Sequence, residues 1–239
     1  MRRALLVPTS VLIAILAGCG QGASERASVD GGTSPASSGA ESAAAVAGER
    51  YVVDPAASEV YWKIGKAGLM ARFGHNHVIS AETFSGAVTL DPQNLSASRF
   101  ELEFPVGEFV IDDPELRARF GEDFASVPSE EDKAGTRRNM LSEALLNGDA
   151  YPHVRVRGSG PEAAGVPGTL PVEIEIVGRT VRLELPGEVT IGDGFVEASG
   201  EFALDHADLG LTPFSALGGA LQVAPTIEFS YRIRANKAN

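Results

Sequence analysis

The feature that most constrains this 239-residue chain is the alternation of apolar and polar residues that recurs along most of it. The clearest example is the segment 227–234, in which every second residue is apolar. Side chains two positions apart on a β-strand lie on the same face, so this pattern predicts strands with one apolar face each. Eight or so such strands, joined by short turns such as Asp193-Gly194, predict an all-β antiparallel fold, either a closed barrel or two packed sheets.

One region, from about residue 113 to 147, departs from this alternation and predicts a helical insert. Asp113 is a favourable N-cap for a first helix, and Ser129 is a favourable N-cap for a second. Asn147-Gly148 provides a left-handed stop for the second helix. The first helix is expected to carry one apolar stripe with four-residue spacing, formed by Leu116, Phe120 and Phe124.

The first 49 residues do not resemble a folded domain. Arg2 and Arg3 precede an apolar run that is too short to span a membrane comfortably, an order typical of a secretory signal. The run ends in Leu16-Ala17-Gly18-Cys19, which resembles the lipobox of bacterial lipoproteins. We expect residues 1–18 to be a lipoprotein signal peptide and Cys19 to be lipidated; the alternative is an ordinary signal with an incidental cysteine. Residues 19–49, rich in Ser, Ala and Gly, are expected to form a flexible tether.

The remaining segment, residues 50–236, is long enough for a single barrel or sandwich with a substantial core. The formal net charge of −12 argues against nucleic acid as a partner and against broad adhesion to anionic lipid surfaces. Cys19 is the only cysteine, so no disulfide is expected. Membrane attachment is therefore expected through acyl chains on Cys19.

Catalytic motifs such as G-x-S-x-G, G-x-x-x-x-G-K and H-E-x-x-H are absent from the sequence, and we expect no enzyme activity. His75 and His77 are the residues for which a chemical role has to be compared with a structural one. On a strand they would lie on one face and could supply two imidazoles to one metal, which leaves open a metal- or haem-assisted redox protein. The other interpretation is a pair of hydrogen-bonding histidines at a barrel rim.

The barrel interior is the remaining candidate site. Eight strands enclose a space that either is filled by side chains or holds one small ligand. Alternation alone leaves both possibilities open. The aromatic residues on inward-facing positions of the predicted strands are Trp62, Phe84, Phe100, Phe104, Phe202 and Phe229.

Four groups of residues recur in a recognisable order and spacing along the predicted domain. They are Tyr51–Pro55 with the strand Val60–Ile64, Phe84-Ser85-Gly86 with Leu90-Asp91, Arg138–Leu141 with Tyr151-Pro152, and Gly168-Thr169-Leu170 through Val181–Leu183. In this order and spacing they resemble the YceI-like family of secreted bacterial proteins. The match runs from about Tyr51 to Arg234 and thus covers the whole predicted domain.

The resemblance implies a lipocalin-like, eight-stranded antiparallel barrel that binds a polyisoprenoid or another long apolar lipid, such as a quinone. It implies no catalytic residue, no metal and no cofactor besides the lipid ligand. The chain would be a periplasm-facing lipoprotein of the bacterial cell envelope, with its oligomeric state open. The alternatives are the redox protein above and a ligand-free structural envelope protein. The residues expected to bind the ligand are Trp62, Phe84, Phe100, Phe104, Met140, Leu141, Phe202 and Phe229.

Overall fold

The computed structural model describes residues 48–238, which form one antiparallel sheet closed into a barrel. The predicted signal peptide, Cys19 and tether therefore fall outside the described residues, apart from the last two positions of the tether. The strands are β1 Glu49–Val53, β2 Glu59–Ala67, β3 His77–Ser80, β4 Ser85–Leu90, β5 Arg99–Pro105, β6 Val110–Ile111, β7 His153–Ser159, β8 Pro167–Ile176, β9 Arg179–Gly192, β10 Phe195–Asp205, β11 Ser215–Ala216 and β12 Leu221–Lys237.

The pairing resolves these segments into eight long strands, three of which are broken in two. The first broken strand is β1 with β2, and both halves pair with β12. The second is β3 with β4, in which β3 pairs with β2 and β4 pairs with β1. The third is β5 with β6, in which β5 pairs with β4 and β6 pairs with β3. β7, β8, β9, β10 and β12 then pair in chain order, and β12 returns to β1 and β2. The expected all-β, eight-stranded, lipocalin-like barrel is confirmed.

The breaks arise where the local sequence cannot continue a ladder. Asp54 ends β1 because its carboxylate accepts hydrogen bonds from the backbone N–H groups of Ala56 and Ala57, which start a 3₁₀ turn at Pro55. Pro105 ends β5, and a 3₁₀ turn follows before β6. Proline lacks the N–H that a ladder needs, so Pro55 and Pro105 each interrupt a strand without opening the barrel.

All the long connections but two lie at one end of the barrel, called the insert end. The loop 68–76, the insert 112–152 and the connection 206–220 lie there, because the strands before them run in the same direction. The connections 91–98 and 160–166, with both chain ends of the described domain, lie at the opposite end. The insert end therefore carries three of the five long connections.

The insert is less helical than the sequence predicts. Asp113 does cap a helix, since its side chain accepts a hydrogen bond from the N–H of Leu116 at 2.9 Å, but this helix α1 spans only Pro114–Arg117. A 3₁₀ turn follows over Ala118–Phe120, and the backbone then leaves the helical region at Gly121, with φ 69° and ψ −153°. A second 3₁₀ turn, Glu122–Phe124, completes the segment in place of the expected helix and its stripe. Phe120 packs instead on Tyr61, with ring centroids 5.4 Å apart. The predicted continuous first helix is wrong.

The second helix, α2, spans Glu130–Leu141 and begins as predicted. Ser129 and Asp132 form a reciprocal capping box at its start. The helix ends six residues before the expected stop, and turns connect it to Asn147, whose φ of 45° is left-handed as expected. Among the described residues, no helix is long and apolar enough to cross a membrane.

Candidate functional site

The barrel encloses a cavity of about 430 Å³, lined by side chains from all eight long strands and from the insert. This volume lies within the ~300–1,000 Å³ typical of small-molecule sites. Most of the lining is apolar, and most of its polar residues lie toward the insert end, while Ser98 and Arg99 line it at the opposite end. The interior therefore has room for an apolar ligand, a feature that strand alternation could not decide.

Six of the eight residues predicted to bind a ligand line this cavity. Trp62 packs edge-on against Phe109 at a centroid distance of 4.9 Å, and Phe202 stacks on Phe229 at 4.9 Å with an interplanar angle of 12°. These contacts fix the rings while leaving other faces toward the cavity. That the six contact a ligand remains a prediction. They are Trp62, Phe100, Phe104, Met140, Phe202 and Phe229.

The other two predicted residues, Phe84 and Leu141, do not line the cavity. Phe84 is buried and stacks on Phe104 with ring centroids 5.0 Å apart, so it packs behind a residue that lines the cavity. Phe84 precedes the first residue of β4 at the break in that strand, where the alternation no longer fixes direction. Leu141 ends α2 and packs against Gly148, while Met140 turns toward the cavity.

A buried charged network lies at the insert end, centred on Asp112. Its side chain is fully buried, and one carboxylate oxygen contacts His77 Nδ1 at 2.6 Å. The other oxygen accepts hydrogen bonds from the N–H of Val78, at 3.0 Å, and from the guanidinium of Arg117. Burial by itself raises the pKa of Asp112, but the hydrogen bond and electrostatic attraction of the His77 ring, with the Val78 N–H and Arg117, outweigh it and hold that pKa below its usual range.

Arg117 connects this network to the insert. It is 5% exposed, and it donates hydrogen bonds to the backbone carbonyls of Asn76 at 2.7 Å, Phe124 at 3.0 Å and Ser126 at 2.7 Å. The guanidinium thus satisfies a buried carboxylate and three loop carbonyls at once, and it fastens the insert to the loop before β3. We expect the insert's position over the barrel to depend on it.

Asp112 and Arg117 were not predicted as functional residues. Asp112 follows a strand and precedes the capping residue Asp113, so its position suggests an exposed acid at a helix start. The one signal in the sequence is that two adjacent acids cannot both cap the same helix. Nothing local indicates burial, since the main partner, His77, is 35 residues away.

The histidines of the predicted pair have different environments. Both line the cavity, but His77 begins β3, whereas His75 lies in the preceding loop, with Nδ1 3.4 Å from Ser126 Oγ and Nε2 3.9 Å from Asp132. Their ring centroids are 6.3 Å apart. Within residues 48–238, no three His, Cys, Asp or Glu side chains form a group that could hold a metal ion.

Comparison with known proteins agrees with this geometry. The family model described as "YceI-like domain" matches residues 51–235. The structure of BcnA from Burkholderia cenocepacia superposes with a TM-score of 0.55 at 14% identity, over 77% of this chain and 99% of that one. A polyisoprenoid-binding domain from Saccharophagus degradans gives 0.51 at 12% identity, over 79% and 98%. A search of curated proteins found no match.

Proposed function

This chain belongs to the YceI-like family, and from that premise we propose that it binds a long apolar lipid, isoprenoid-like or quinone-like, inside its barrel. The observation that carries the proposal is the continuous apolar cavity, which runs the length of the barrel. The solved polyisoprenoid-binding domain with the same fold supports the ligand class. We infer a binding role and no catalytic one.

The lining favours hydrocarbon over charged ligands. Each methylene that leaves water for an apolar site contributes about 0.8 kcal/mol, from which the loss of ligand freedom is subtracted. A charged group in the same position would lose its hydration without gaining a partner. A long prenyl chain therefore gains affinity along most of the cavity, and a polar head is best placed at the insert end, where most of the polar side chains occur.

Native mass spectrometry tests the proposal directly. We expect the chain from residue 19, made with Cys19→Ser behind a secretory signal without a lipobox, to carry an additional several hundred daltons, on the order of a drug-sized or larger ligand. Organic extraction should remove that mass, and a prenyl lipid added afterwards should restore it. A protein that remains bare after incubation with prenyl lipids would contradict lipid binding and favour the structural alternative.

A Trp62→Ala variant is expected to weaken the free energy of ligand binding more than it lowers the free energy of unfolding. The reason is that Trp62 lines the cavity, so lost contacts with the ligand add to lost packing. Tyr61→Ala is the matched control. Tyr61 is the neighbouring residue on β2, but its ring packs outside the cavity on Phe120. Tyr61→Ala should therefore reduce stability and leave ligand occupancy unchanged. If Trp62→Ala reduced stability and binding in equal proportion, the interior would be acting as a packed core.

We further propose that the protein is a periplasm-facing lipoprotein anchored through acylated Cys19. The support is the order of Arg2 and Arg3, the apolar run and the segment Leu16–Cys19. Protein extracted from membranes with detergent is expected to begin at residue 19 and to carry acyl chains on it, as read by mass spectrometry of the N-terminal peptide. An unmodified cysteine would contradict the anchor.

The redox alternative has no observation in its favour within the described chain, where His75 and His77 lack a third ligand. The Nδ1 atom of His77 is engaged by the buried carboxylate of Asp112. We therefore put forward lipid binding alone.

A further inference from the structure

The cavity has one distinct polar zone, and its position suggests how a ligand is oriented. The polar zone lies at the insert end, where the loop 68–76, α2 and the start of β12 meet. Elsewhere the lining is mainly aliphatic and aromatic. The polar side chains of this zone are those of Lys66, His75, His77, Thr136, Asn139 and Gln222.

Five other polar residues line the cavity, and most are already satisfied by the protein. At the opposite end, Ser98 accepts a hydrogen bond from the N–H of Asp91, and Arg99 donates to the carbonyls of Ser96 and Ser98. Ser230 lies between Phe229 and Tyr231 on β12, which both line the cavity, so its own side chain is on the other face of the strand.

Tyr231 donates its hydroxyl to the carbonyl of Pro186 at 3.0 Å, and burial raises the pKa of this phenol to about 12. His206 is 3% exposed, and its Nδ1 lies 2.7 Å from the carbonyl of Pro225. Both side chains fit a structural role, which leaves the polar zone as the place for a ligand's head.

Within that zone, His77 is held in one orientation. Asp112 is ionised and accepts at both oxygens, so the Nδ1 atom of His77 must carry the proton that lies between them. In the neutral imidazole, Nε2 is then a hydrogen-bond acceptor. Among the described residues, Nε2 of His77 has no hydrogen-bond partner, although the ring lines the cavity.

The residues that hold this imidazole, Asp112 and Arg117, occupy energetically unfavourable positions. Asp112 has a φ of 54°, which is unfavourable for a residue with a side chain, and it is 1% exposed. Burying an aspartate and an arginine is unfavourable before their mutual attraction is counted. Arg117 explains how the insert is fastened, but the insert alone does not require an imidazole directed at the cavity.

We propose that His77 binds the head group of the lipid, with Nε2 accepting a hydrogen bond from a hydroxyl. The ligand class is accordingly an amphipathic lipid with one terminal hydroxyl, such as a prenyl alcohol, whose tail extends along the apolar part of the barrel. This inference rests on the proposed function and adds to it the polarity and orientation of the ligand.

The test compares geranylgeraniol with its methyl ether, which has the same chain but cannot donate a hydrogen bond. The chain from residue 19 with Cys19→Ser is titrated with each, and the dissociation constants are read from Trp62 fluorescence. We expect the alcohol to bind about tenfold more tightly, the effect of one buried hydrogen bond. His77→Phe should remove the preference, and His153→Phe should keep it, because His153 starts β7 at the same end and does not line the cavity.

Each outcome has a distinct meaning. Equal affinities in the unsubstituted barrel, or a preference that survives His77→Phe, would overturn the role of His77 while lipid binding stands. Failure of both lipids to bind would overturn lipid binding itself. A phosphate ester that bound more tightly than the alcohol would refute the hydroxyl class.

A measurement without substitution at His77 keeps the proposal testable if His77→Phe fails to fold. In ¹⁵N-histidine spectra, geranylgeraniol should shift the Nε2 resonance of His77 and leave its Nδ1 protonated, whereas the methyl ether should not shift Nε2. An Nε2 chemical shift that stays the same at saturating alcohol would also overturn the proposal.

Discussion

Replacing Arg117 by methionine is expected to destabilise the barrel domain by about 3–5 kcal/mol, the largest effect of any single exchange proposed for this protein. Methionine keeps much of the side-chain volume but removes the charge that faces Asp112, which is fully buried. It also leaves the carbonyls of Asn76, Phe124 and Ser126 without their donor. Chemical denaturation monitored by circular dichroism measures the free energy of unfolding.

Two further variants show whether the buried charge is the cause. Asp112→Asn combined with Arg117→Met should recover part of the loss, because no uncompensated charge then remains. Arg119→Met is the matched control, since Arg119 pairs with Glu59 at the surface and such pairs contribute about 0–1 kcal/mol. Equal losses for Arg117→Met and Arg119→Met would show that the network adds little.

The same network makes stability depend on acid pH in a defined direction. Because the pKa of Asp112 is lower in the folded chain than its ordinary value of about 3.8, the folded state holds this proton less tightly than the unfolded state does. Its contribution is therefore complete above the unfolded pKa and is lost as the pH falls toward the folded one. Asp112→Asn should flatten that part of the stability profile.

Ala198→Phe is expected to abolish ligand binding, lowering affinity more than about a hundredfold, because a ring at this position occupies the space that the ligand would fill. Ala198 lies on β10 and lines the cavity between Val189 and Ile233 on the neighbouring strands. Overpacking a filled core usually costs about 1–3 kcal/mol. Because the cavity has room for the ring, the free energy of unfolding should fall by less than that. Native mass spectrometry and lipid titration measure the loss.

Ala203→Phe provides the control on the same strand. Ala203 is exposed on the outer face of β10, five residues from Ala198, so the same ring there should leave ligand affinity unchanged. A ligand retained by Ala198→Phe would mean that the binding site lies outside the barrel interior, and the proposed function would need another location.

Local sequence determined the features whose causes lie within a few residues. The strands follow from alternation, and the turn at Asp193-Gly194 joins β9 and β10 as expected, with Gly194 at φ 77°. Asp113 and Ser129 cap the two helices because each side chain reaches a backbone N–H three residues ahead. The expected length of the first helix failed at Gly121, since spacing of apolar residues says nothing about a backbone that leaves the helical region.

Tertiary structure decided what depends on distant partners. Alternation places Trp62 inward whether the barrel is filled or hollow, and only the assembled strands and side-chain volumes leave the cavity open. Asp112 and His77 are far apart in the chain, and their contact exists because β3 pairs with β6. A buried charge is stable only when the fold brings its partners to it, so no local pattern of residues could reveal this network.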